Sequence, residues 1–441
     1  MSLGSLLFSK TATLLGMRLG GAGAGFLTQL LLARMLAPED LGLFFAATSL
    51  AIVLATVTSL GYPEIAPRFM SRYQERGKPE VVAGFLRQAN RETLIFSLLV
   101  GLLVGLTSAI WPVGSVDVVA LFVLVAVMIP VLALFSINGG VALAQRRFLV
   151  AYGFETFLRP ILFLAALVTL YLSASVVDLW IVASLFFGLT AGLALAQYLT
   201  LRGSLPQGRP KADGRLARRW RLEGAPQIAV AIYTLLFADL AIILASIPLG
   251  ATQLAAFGIA LKLAMLVGFG LQVAHQVIIP DLADAHASRS LGRTGEVMRA
   301  AAVFPIVFSL LALAVILAVG DHVLALFHPD FAQAKWALAI LVACQFLRAV
   351  AGPSGQLLTV AGAQAANAAI CIASTVVLTV AKVALTPSFG LTGAAVAVFI
   401  AWVFWLVVAA LCLRHITGIR CDLPALLARR PGPAMQPAAG E

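Results

Sequence analysis

The chain has 441 residues, of which 61% are hydrophobic and only 11% are charged. Soluble domains carry about 25% charged residues, so this composition excludes a water-soluble globule and predicts that lipid surrounds most of the chain. The net charge of +11 would indicate nucleic-acid binding in a soluble protein. In a membrane protein the same excess follows from the positive-inside bias, and we predict no nucleic-acid partner.

Apolar runs long enough to cross a bilayer, about 20 residues each, recur along the whole chain. Only helices and closed barrels satisfy the backbone inside a bilayer, and runs of this length rich in Leu and Ala predict helices. We therefore predict an all-α integral membrane protein with about twelve transmembrane helices. The predicted spans are residues 11–36, 42–62, 93–111, 118–144, 151–172, 179–201, 225–247, 254–280, 300–319, 336–360, 365–385 and 391–413.

The basic residues predict the orientation of these helices. If the N-terminus is cytoplasmic, the cytoplasmic segments hold 23 of the 30 Lys and Arg residues, and the outer loops hold only Lys335. Because cytoplasmic loops carry the excess of positive charge, both termini are predicted to be cytoplasmic. The outer loop at 320–335 is predicted to form a small surface helix. No removable signal peptide is expected, because the first residues lack a charged n-region and a cleavage site.

An internal repeat suggests two lobes. Residues 36–50 read LAPEDLGLFFAATSL and residues 249–263 read LGATQLAAFGIALKL, with five identities in an ungapped alignment. Each stretch joins the first two helices of a six-helix block, which predicts parallel repeats of the kind found in transporters. We assign an N-terminal lobe to 1–201, a basic cytoplasmic linker to 202–223, a C-terminal lobe to 224–414 and a cytoplasmic tail, predicted to be disordered, to 415–441. The linker is also expected to contact anionic lipid headgroups.

Six basic residues fall inside the predicted spans. A charge at bilayer depth costs about 3 kcal/mol and marks a transport pathway or an ion pair. Two of the six, Arg34 and Lys382, lie within four residues of a predicted helix end, so snorkelling accounts for them and no function is assigned. The four deeper cations are Arg18, Arg159, Lys262 and Arg348.

Two carboxylates offer these cations a structural explanation. Glu155 lies one helical turn from Arg159, which allows an i,i+4 ion pair. Asp239 has the same predicted depth as Lys262, which allows a pair across two helices. Either carboxylate could instead carry a coupling proton or sodium ion, since burial and neighbouring cations shift its proton affinity in opposite directions. Asp239 is the better candidate for ion coupling.

A glycine-rich stretch in the first helix, Gly20, Gly21, Gly23 and Gly25, provides a small-residue face for close helix contact. No strand precedes it, so it does not predict a nucleotide-binding loop. The four cysteines show no metal-ligand spacing. We predict no metal, no cofactor and no enzyme activity, because the outer loops are short and hold no catalytic grouping.

Several motifs follow one another in the order found in a known family. They are LLLARMLAPEDLGLFFAATSL at 30–50 with LGY at 60–62, ETFLRP at 155–160, Asp239 ahead of ALKL at 260–263, LFHPDFAQA at 326–334, GPSGQLLTVAGAQ at 352–364 and PSFGLTGAA at 387–395. In this order they resemble the polysaccharide flippases of the MATE-like superfamily, which export lipid-linked oligosaccharides. Two positions depart from the family pattern: Lys382 stands where Asn is usual, and Ala37 where Gly is usual.

The resemblance implies a multi-pass transporter of the bacterial cytoplasmic (inner) membrane that flips a polyprenyl-diphosphate-linked oligosaccharide. Arg18, Arg159, Lys262 and Arg348 would then line a cationic cavity, because Arg and Lys bind diphosphate without covalent chemistry. A glycan polymerase and a chain-length regulator are the implied partners of a monomeric transporter. The alternative in the same fold is a multidrug or metabolite antiporter coupled to a cation, whose cavity would be more acidic and aromatic.

Overall fold

The structure is a computed structural model. It describes the backbone of residues 3–110, 116–173, 177–205, 214–287, 291–351, 358 and 363–417, and the side chains of 16–108, 118–173, 177–205, 214–271, 305–350, 358 and 363–416. The predicted disorder of the tail from 418 onward lies outside these residues, as do the basic residues at 209 and 211 of the linker.

Helices form almost all of the described chain. In chain order they are α1 (Leu3–Met35), α2 (Pro38–Thr58), α3 (Tyr62–Glu75), α4 (Pro79–Ile110), α5 (Val116–Ala144), α6 (Phe148–Tyr152), a π-helical segment (Gly153–Leu158), α7 (Arg159–Ser173), α8 (Leu179–Arg202), α9 (Gly214–Thr234), α10 (Phe237–Ser246), α11 (Ala251–Ala287), α12 (Leu291–Ala325), a 3₁₀ helix (Pro329–Ala334), α13 (Lys335–Ala351) and α14 (Gln364–Thr417). The all-α prediction is therefore confirmed.

The membrane-spanning character of these helices is also confirmed. Among the described residues, nine helices are long and apolar enough to cross a bilayer, or ten if α9 and α10, bent by 75° at their junction, form one span. The helix α14 contains two predicted spans and breaks at Gly390, whose φ of 53° is a left-handed conformation that favours glycine. The total of twelve spans and the location of the termini stay predictions.

The chain forms two compact units, Met1–Ser246 and Ile247–Glu441. The predicted lobe boundary lay at the linker, so the observed division comes later in the chain. Its physical reason is that α9 packs against α3, and α10 packs against α2. Both helices therefore contribute to the core of the N-terminal unit.

The repeat predicted from sequence occupies equivalent positions in the two units. Residues 36–50 contain the two residues before α2 and its first part, and residues 249–263 contain the two residues before α11 and its first part. Four of the five matched pairs are buried in both copies: Leu36 and Leu249, Leu41 and Leu254, Phe44 and Phe257, Ala47 and Ala260. Equal burial at matched positions indicates that both copies use the same helix face for packing.

The linker ends in a helix that is docked by a tryptophan. Trp220, on α9, is fully buried, and its Nε1 donates a hydrogen bond to the Tyr73 hydroxyl at 3.1 Å. Its ring meets the edge of Phe85 at a centroid distance of 5.2 Å. This end of the linker is therefore packed as part of the N-terminal unit. The sequence predicted a cytoplasmic loop here and did not indicate this packing.

Two carboxylates pair with arginines at the docked helix. Glu92 accepts a hydrogen bond from the Tyr62 hydroxyl at 2.6 Å and lies 3.6 Å from Arg221. Glu223 pairs with Arg68 and, at 2.8 Å, with Arg219. We call this region the linker junction and define it by Tyr62, Tyr73, Phe85, Glu92, Trp220 and Glu223. It joins segments that the charge pattern placed on the same side of the membrane, which agrees with that pattern.

Two glycines allow the linker junction to close. A Cβ on Gly224 would lie 2.5 Å from the carbonyl oxygen of Leu60, and a Cβ on Gly61 would lie 2.1 Å from the carbonyl oxygen of Gly224. Gly61 also has a φ of 71°, which a residue with a side chain rarely adopts. The backbones of α9 and the α2–α3 corner therefore touch directly.

The predicted surface helix in the 320–335 loop is present as the 3₁₀ helix. His328 caps it, because its Nδ1 accepts a hydrogen bond from the Asp330 backbone N–H at 3.3 Å. Phe331 and Ala334 are fully buried, so two of its side chains anchor the loop to the C-terminal unit. The Lys335 ammonium lies 3.4 Å from Asp321.

Candidate cation sites of the two units

In the N-terminal unit, two of the predicted cations lie at the two ends of the π-helical segment. The Arg18 guanidinium lies 5.3 Å from the centroid of the Tyr152 ring, one residue before the segment. Arg159 follows the segment directly, and its guanidinium lies 5.9 Å from the centroid of Phe186. Arg159 also lies 3.8 Å from Glu155, the distance of the predicted i,i+4 ion pair. The fold thus brings Arg18, Arg159 and Glu155 to one region of α1 and α7.

The local sequence explains why a π-helical segment forms here. Pro160 has no backbone N–H, so it cannot donate to the carbonyl of Thr156 in a regular α-helical pattern. That carbonyl oxygen lies beside α1, where a Cβ on Gly21 would be only 1.7 Å away. The predicted close contact of the glycine face is confirmed for Gly20 and Gly21, whereas Gly23 and Gly25 have nothing within 4 Å of an added Cβ. Single π-helical turns often occur at functional sites.

In the C-terminal unit, Arg348 occupies a well-defined site. Its Nη1 donates a hydrogen bond to Gln345 Oε1 at 2.7 Å. Its guanidinium lies over the Trp402 ring at 4.3 Å from the centroid, so α14 supports a side chain that α13 carries. A Cβ on Gly268 would lie 2.5 Å from Gln345 Oε1 and 3.6 Å from Arg348 Nη1. Glycine at this point of α11 therefore lets the Gln345 amide and the guanidinium pack closely against the helix.

The structure overturns the snorkelling interpretation of Lys382. Its side chain is fully buried, and its Nζ lies 3.9 Å from the centroid of the Phe257 ring on α11. The predicted span ended at 385, whereas the helix continues to the break at Gly390. Lys382 is therefore well inside the helix, away from either end. The departure of Lys382 from the family pattern singled out this position in the sequence, but it did not indicate that the side chain is buried.

The remaining predicted site residues lie in different units. Asp239, on α10 in the N-terminal unit, accepts a hydrogen bond from the Ser49 hydroxyl at 2.8 Å. Lys262 is half-buried on α11 in the C-terminal unit. Their ion pair stays a prediction, as does ion coupling at Asp239 or Glu155. Arg34 is exposed, in agreement with its assignment to snorkelling.

The cation sites share a chemistry that suits an anionic group. A guanidinium offers a planar set of donors that matches phosphate, and an aromatic face holds it in orientation without neutralising its charge. The helices α13 and α14 contain Lys335, Arg348, Lys382 and Arg414, and their sequences contain no Asp or Glu. These two helices are therefore strongly cationic in their own right.

Comparison with known proteins places the chain in a structural group. The solved lipid II flippase MurJ, in an inward closed conformation, is 12% identical with a TM-score of 0.72, and the match covers 93% of this chain and 87% of that chain. An inward-facing multidrug resistance MATE family transporter is 16% identical with a TM-score of 0.65, over 89% and 94% of the two chains. A MOP superfamily transporter from Pyrococcus furiosus is 15% identical with a TM-score of 0.59, over 92% and 95%. At these identities the likeness shows the fold.

Sequence comparison identifies the family. No curated protein sequence matches the chain significantly. The family model described as "Polysaccharide biosynthesis protein" matches residues 7–286, which is more than half of the chain. This confirms the resemblance drawn from the motifs at 30–50 and 155–160, and it agrees with the multi-pass membrane fold. The chain belongs to the polysaccharide biosynthesis protein family.

Proposed function

We propose that the protein flips a polyprenyl-diphosphate-linked oligosaccharide from the cytoplasmic to the outer leaflet of the bacterial inner membrane. The product would feed the synthesis of a cell-surface polysaccharide such as O-antigen, capsule or exopolysaccharide. Family membership and the transporter fold support this proposal, since one protein with this fold is named as a flippase of lipid II. Transport would proceed by alternating access, with two lobes rocking about a central cationic cavity.

The Arg348 site is the observation that carries the proposal. Gln345 and Trp402 hold the guanidinium in a defined orientation, and Gly268 lets the Gln345 amide pack closely against α11. A pre-oriented guanidinium binds a phosphate through paired hydrogen bonds, which are among the strongest polar contacts in proteins. We assign Arg348 to the diphosphate of the substrate, and assign Arg18, Arg159 and Lys262 to the same cavity. Asp239 and Glu155 are proposed as ion-coupling or charge-pairing residues.

The alternative function is a multidrug or metabolite antiporter coupled to a cation, since MATE family transporters share the fold. Positively charged drugs would need carboxylates near their path. The helices α13 and α14 supply four basic residues and no acidic ones, which favours an anionic substrate. The transporter is proposed to act as a monomer beside a glycan polymerase and a chain-length regulator, without enzyme activity of its own.

Complementation of a flippase-null bacterial strain tests the proposal. Wild type should restore surface polysaccharide, and Arg348→Gln should lower it about tenfold or more, since a hydrogen bond to a charged group contributes about 1.5–3 kcal/mol. The matched control is Arg34→Gln, an exposed arginine at a helix end, which should restore export fully. Membrane levels of each variant are compared by immunoblot.

Two outcomes would contradict the proposal. Full rescue by Arg348→Gln would show that transport does not depend on a contact between this arginine and the substrate. Failure of well-expressed wild type to restore the polysaccharide, together with resistance to cationic drugs, would support the antiporter instead.

A further inference from the structure

The C-terminal unit encloses an amine whose position has no structural explanation. Lys382 has no exposed side-chain area, and its Nζ has no hydrogen-bond partner among the described residues. Phe257, itself fully buried, provides an aromatic face 3.9 Å away. A buried ammonium without an acceptor is costly in free energy, and a cation–π contact offsets only part of that cost. A side chain placed this way usually marks a functional site in a membrane protein.

A second polar group without a partner lies on the same helix face. Thr386 follows Lys382 by four residues, one helical turn. It is 1% exposed, and its hydroxyl also has no hydrogen-bond partner among the described residues. Two adjacent unsatisfied polar groups in one buried patch depart from the normal rule that buried polar groups are bonded.

Among the side chains that the structure describes, the helices around Lys382 supply no carboxylate. Contacts join α14 to α13 and α11. The charged or titratable residues there are Lys335, Cys344 and Arg348 on α13 and Lys262 on the described part of α11, residues 251–271. On α14 itself they are Cys371, Cys412, Arg414 and His415. Among these described side chains, the helices packed against Lys382 carry basic groups and no acid.

We propose that Lys382 binds and releases a proton in each transport cycle, a role that rests on the proposed transport function. As the C-terminal unit closes around the side chain, the ammonium gives its proton to the water that leaves the site and remains as a neutral amine, with the lone pair on Nζ. When water reaches the site in the other conformation, the amine takes a proton and becomes cationic. Alternating access would change the exposure of this one group and so couple proton movement to the conformational change.

The position of Lys382 makes it a better proton carrier than the carboxylate chosen from the sequence. Asp239 is only half-buried and accepts a hydrogen bond from Ser49, so the protein does not enclose it as completely as it encloses Lys382. Among the described residues, Lys382 has no hydrogen-bond acceptor and only the aromatic face of Phe257 to stabilise its charge, so its protonation depends on whether the site is open.

Lysine-selective NMR tests proton binding without any substrate. The full chain, labelled with ¹³C and ¹⁵N lysine and placed in lipid nanodiscs, contains six lysines, and the Lys382→Arg variant identifies the Lys382 signal by its loss. We expect this signal to change from amine to ammonium as the pH is lowered from about 9 to about 5, a range in which buried lysines titrate. The matched control is the exposed Lys78, which should stay an ammonium throughout. A Lys382 signal that stays charged, or stays neutral, over the whole range would overturn the proposal.

A transport measurement tests coupling. Farnesyl diphosphate serves as the probe in proteoliposomes, and its appearance in the outer leaflet is followed by added phosphatase, with and without an imposed pH gradient. Wild type and Lys78→Arg should respond to the gradient, whereas Lys382→Arg, which keeps its charge, should lose that response. Retention of the response by Lys382→Arg, or its absence in wild type, would overturn the coupling role. Failure of wild type to move the probe would contradict the proposed function alone, while the NMR titration would still decide proton binding.

Discussion

The linker junction holds exposed arginines and the C-terminal cation sites hold buried or half-buried basic groups, and the two regions stabilise them in opposite ways. At the junction, Arg68, Arg219 and Arg221 are matched by the carboxylates of Glu92 and Glu223. In the C-terminal unit, the guanidinium of Arg348 and the ammonium of Lys382 lie on the aromatic faces of Trp402 and Phe257.

This difference distinguishes cations that hold the fold together from cations proposed to act in transport. A carboxylate fixes its partner's charge and geometry permanently, which suits a docking contact. An aromatic face orients a cation but leaves its charge available to a ligand or its proton available to water. We therefore propose a structural role for the junction and a role in substrate or proton binding for the C-terminal cations. The N-terminal cations combine both kinds of contact: Arg18 lies on the ring of Tyr152, whereas Arg159 also has the carboxylate of Glu155 beside it.

The largest expected effect comes from removing the anchor of the junction. Trp220→Ala should lower the free energy of unfolding by about 3–5 kcal/mol, because it leaves a cavity and an unpaired Tyr73 hydroxyl. The matched control is Trp336→Ala, since Trp336 is 63% exposed. Thermal unfolding of the purified protein in detergent, followed by circular dichroism, should show a clear drop for the first variant only. Equal midpoints for the two variants would mean that the docked helix is not structural.

A smaller effect is expected where α1 meets the π-helical segment. Gly21→Ala should destabilise the N-terminal unit by about 1–3 kcal/mol, because its methyl group meets the Thr156 carbonyl. Gly23→Ala, on the same helix with nothing within 4 Å, is the control and should leave the unfolding midpoint unchanged or raise it. If both variants behave alike, the close approach that positions Arg18 does not exist.

The smallest effect concerns the exposed ion pairs of the junction. Glu223→Gln should cost only about 0–1 kcal/mol, because both arginine partners are about half exposed and water screens such pairs. The loss should shrink further in high salt. A loss as large as that of Trp220→Ala would show that charge, and not aromatic packing, docks the linker.

The sequence predicted the helices, the membrane and the family because these depend on long apolar runs and ordered motifs. It also predicted the glycine contact, although it could not tell that only Gly20 and Gly21 make it. The docking of α9 was missed because Trp220 stands among arginines. Its signal was the spacing of Leu216, Trp220 and Gly224 on one helix face.

Burial of single charges was harder to predict. The burial of Lys382 depends on where its helix ends, and the run from Pro387 to Gly390 looked like a loop although the helix continues as far as the break at Gly390. The depth of Arg348 stays a prediction, and its partners Gln345 and Trp402 come from two helices and follow from packing alone. Long-range contacts of this kind have no periodic signal in one sequence.

The central claim is tested most directly by neutralising one charge in each region and comparing the signs of the stability change. Glu92 is 15% exposed and bonded to Tyr62 and Arg221, so Glu92→Gln should lower the unfolding free energy by about 1–3 kcal/mol. Lys382→Met keeps the side-chain volume and removes a buried, unsatisfied amine. This variant should therefore raise the free energy of unfolding by about 1–3 kcal/mol. Opposite shifts of the thermal midpoint are the predicted result. A decrease for both variants would contradict the account, because Lys382 would then be a structural residue like Glu92.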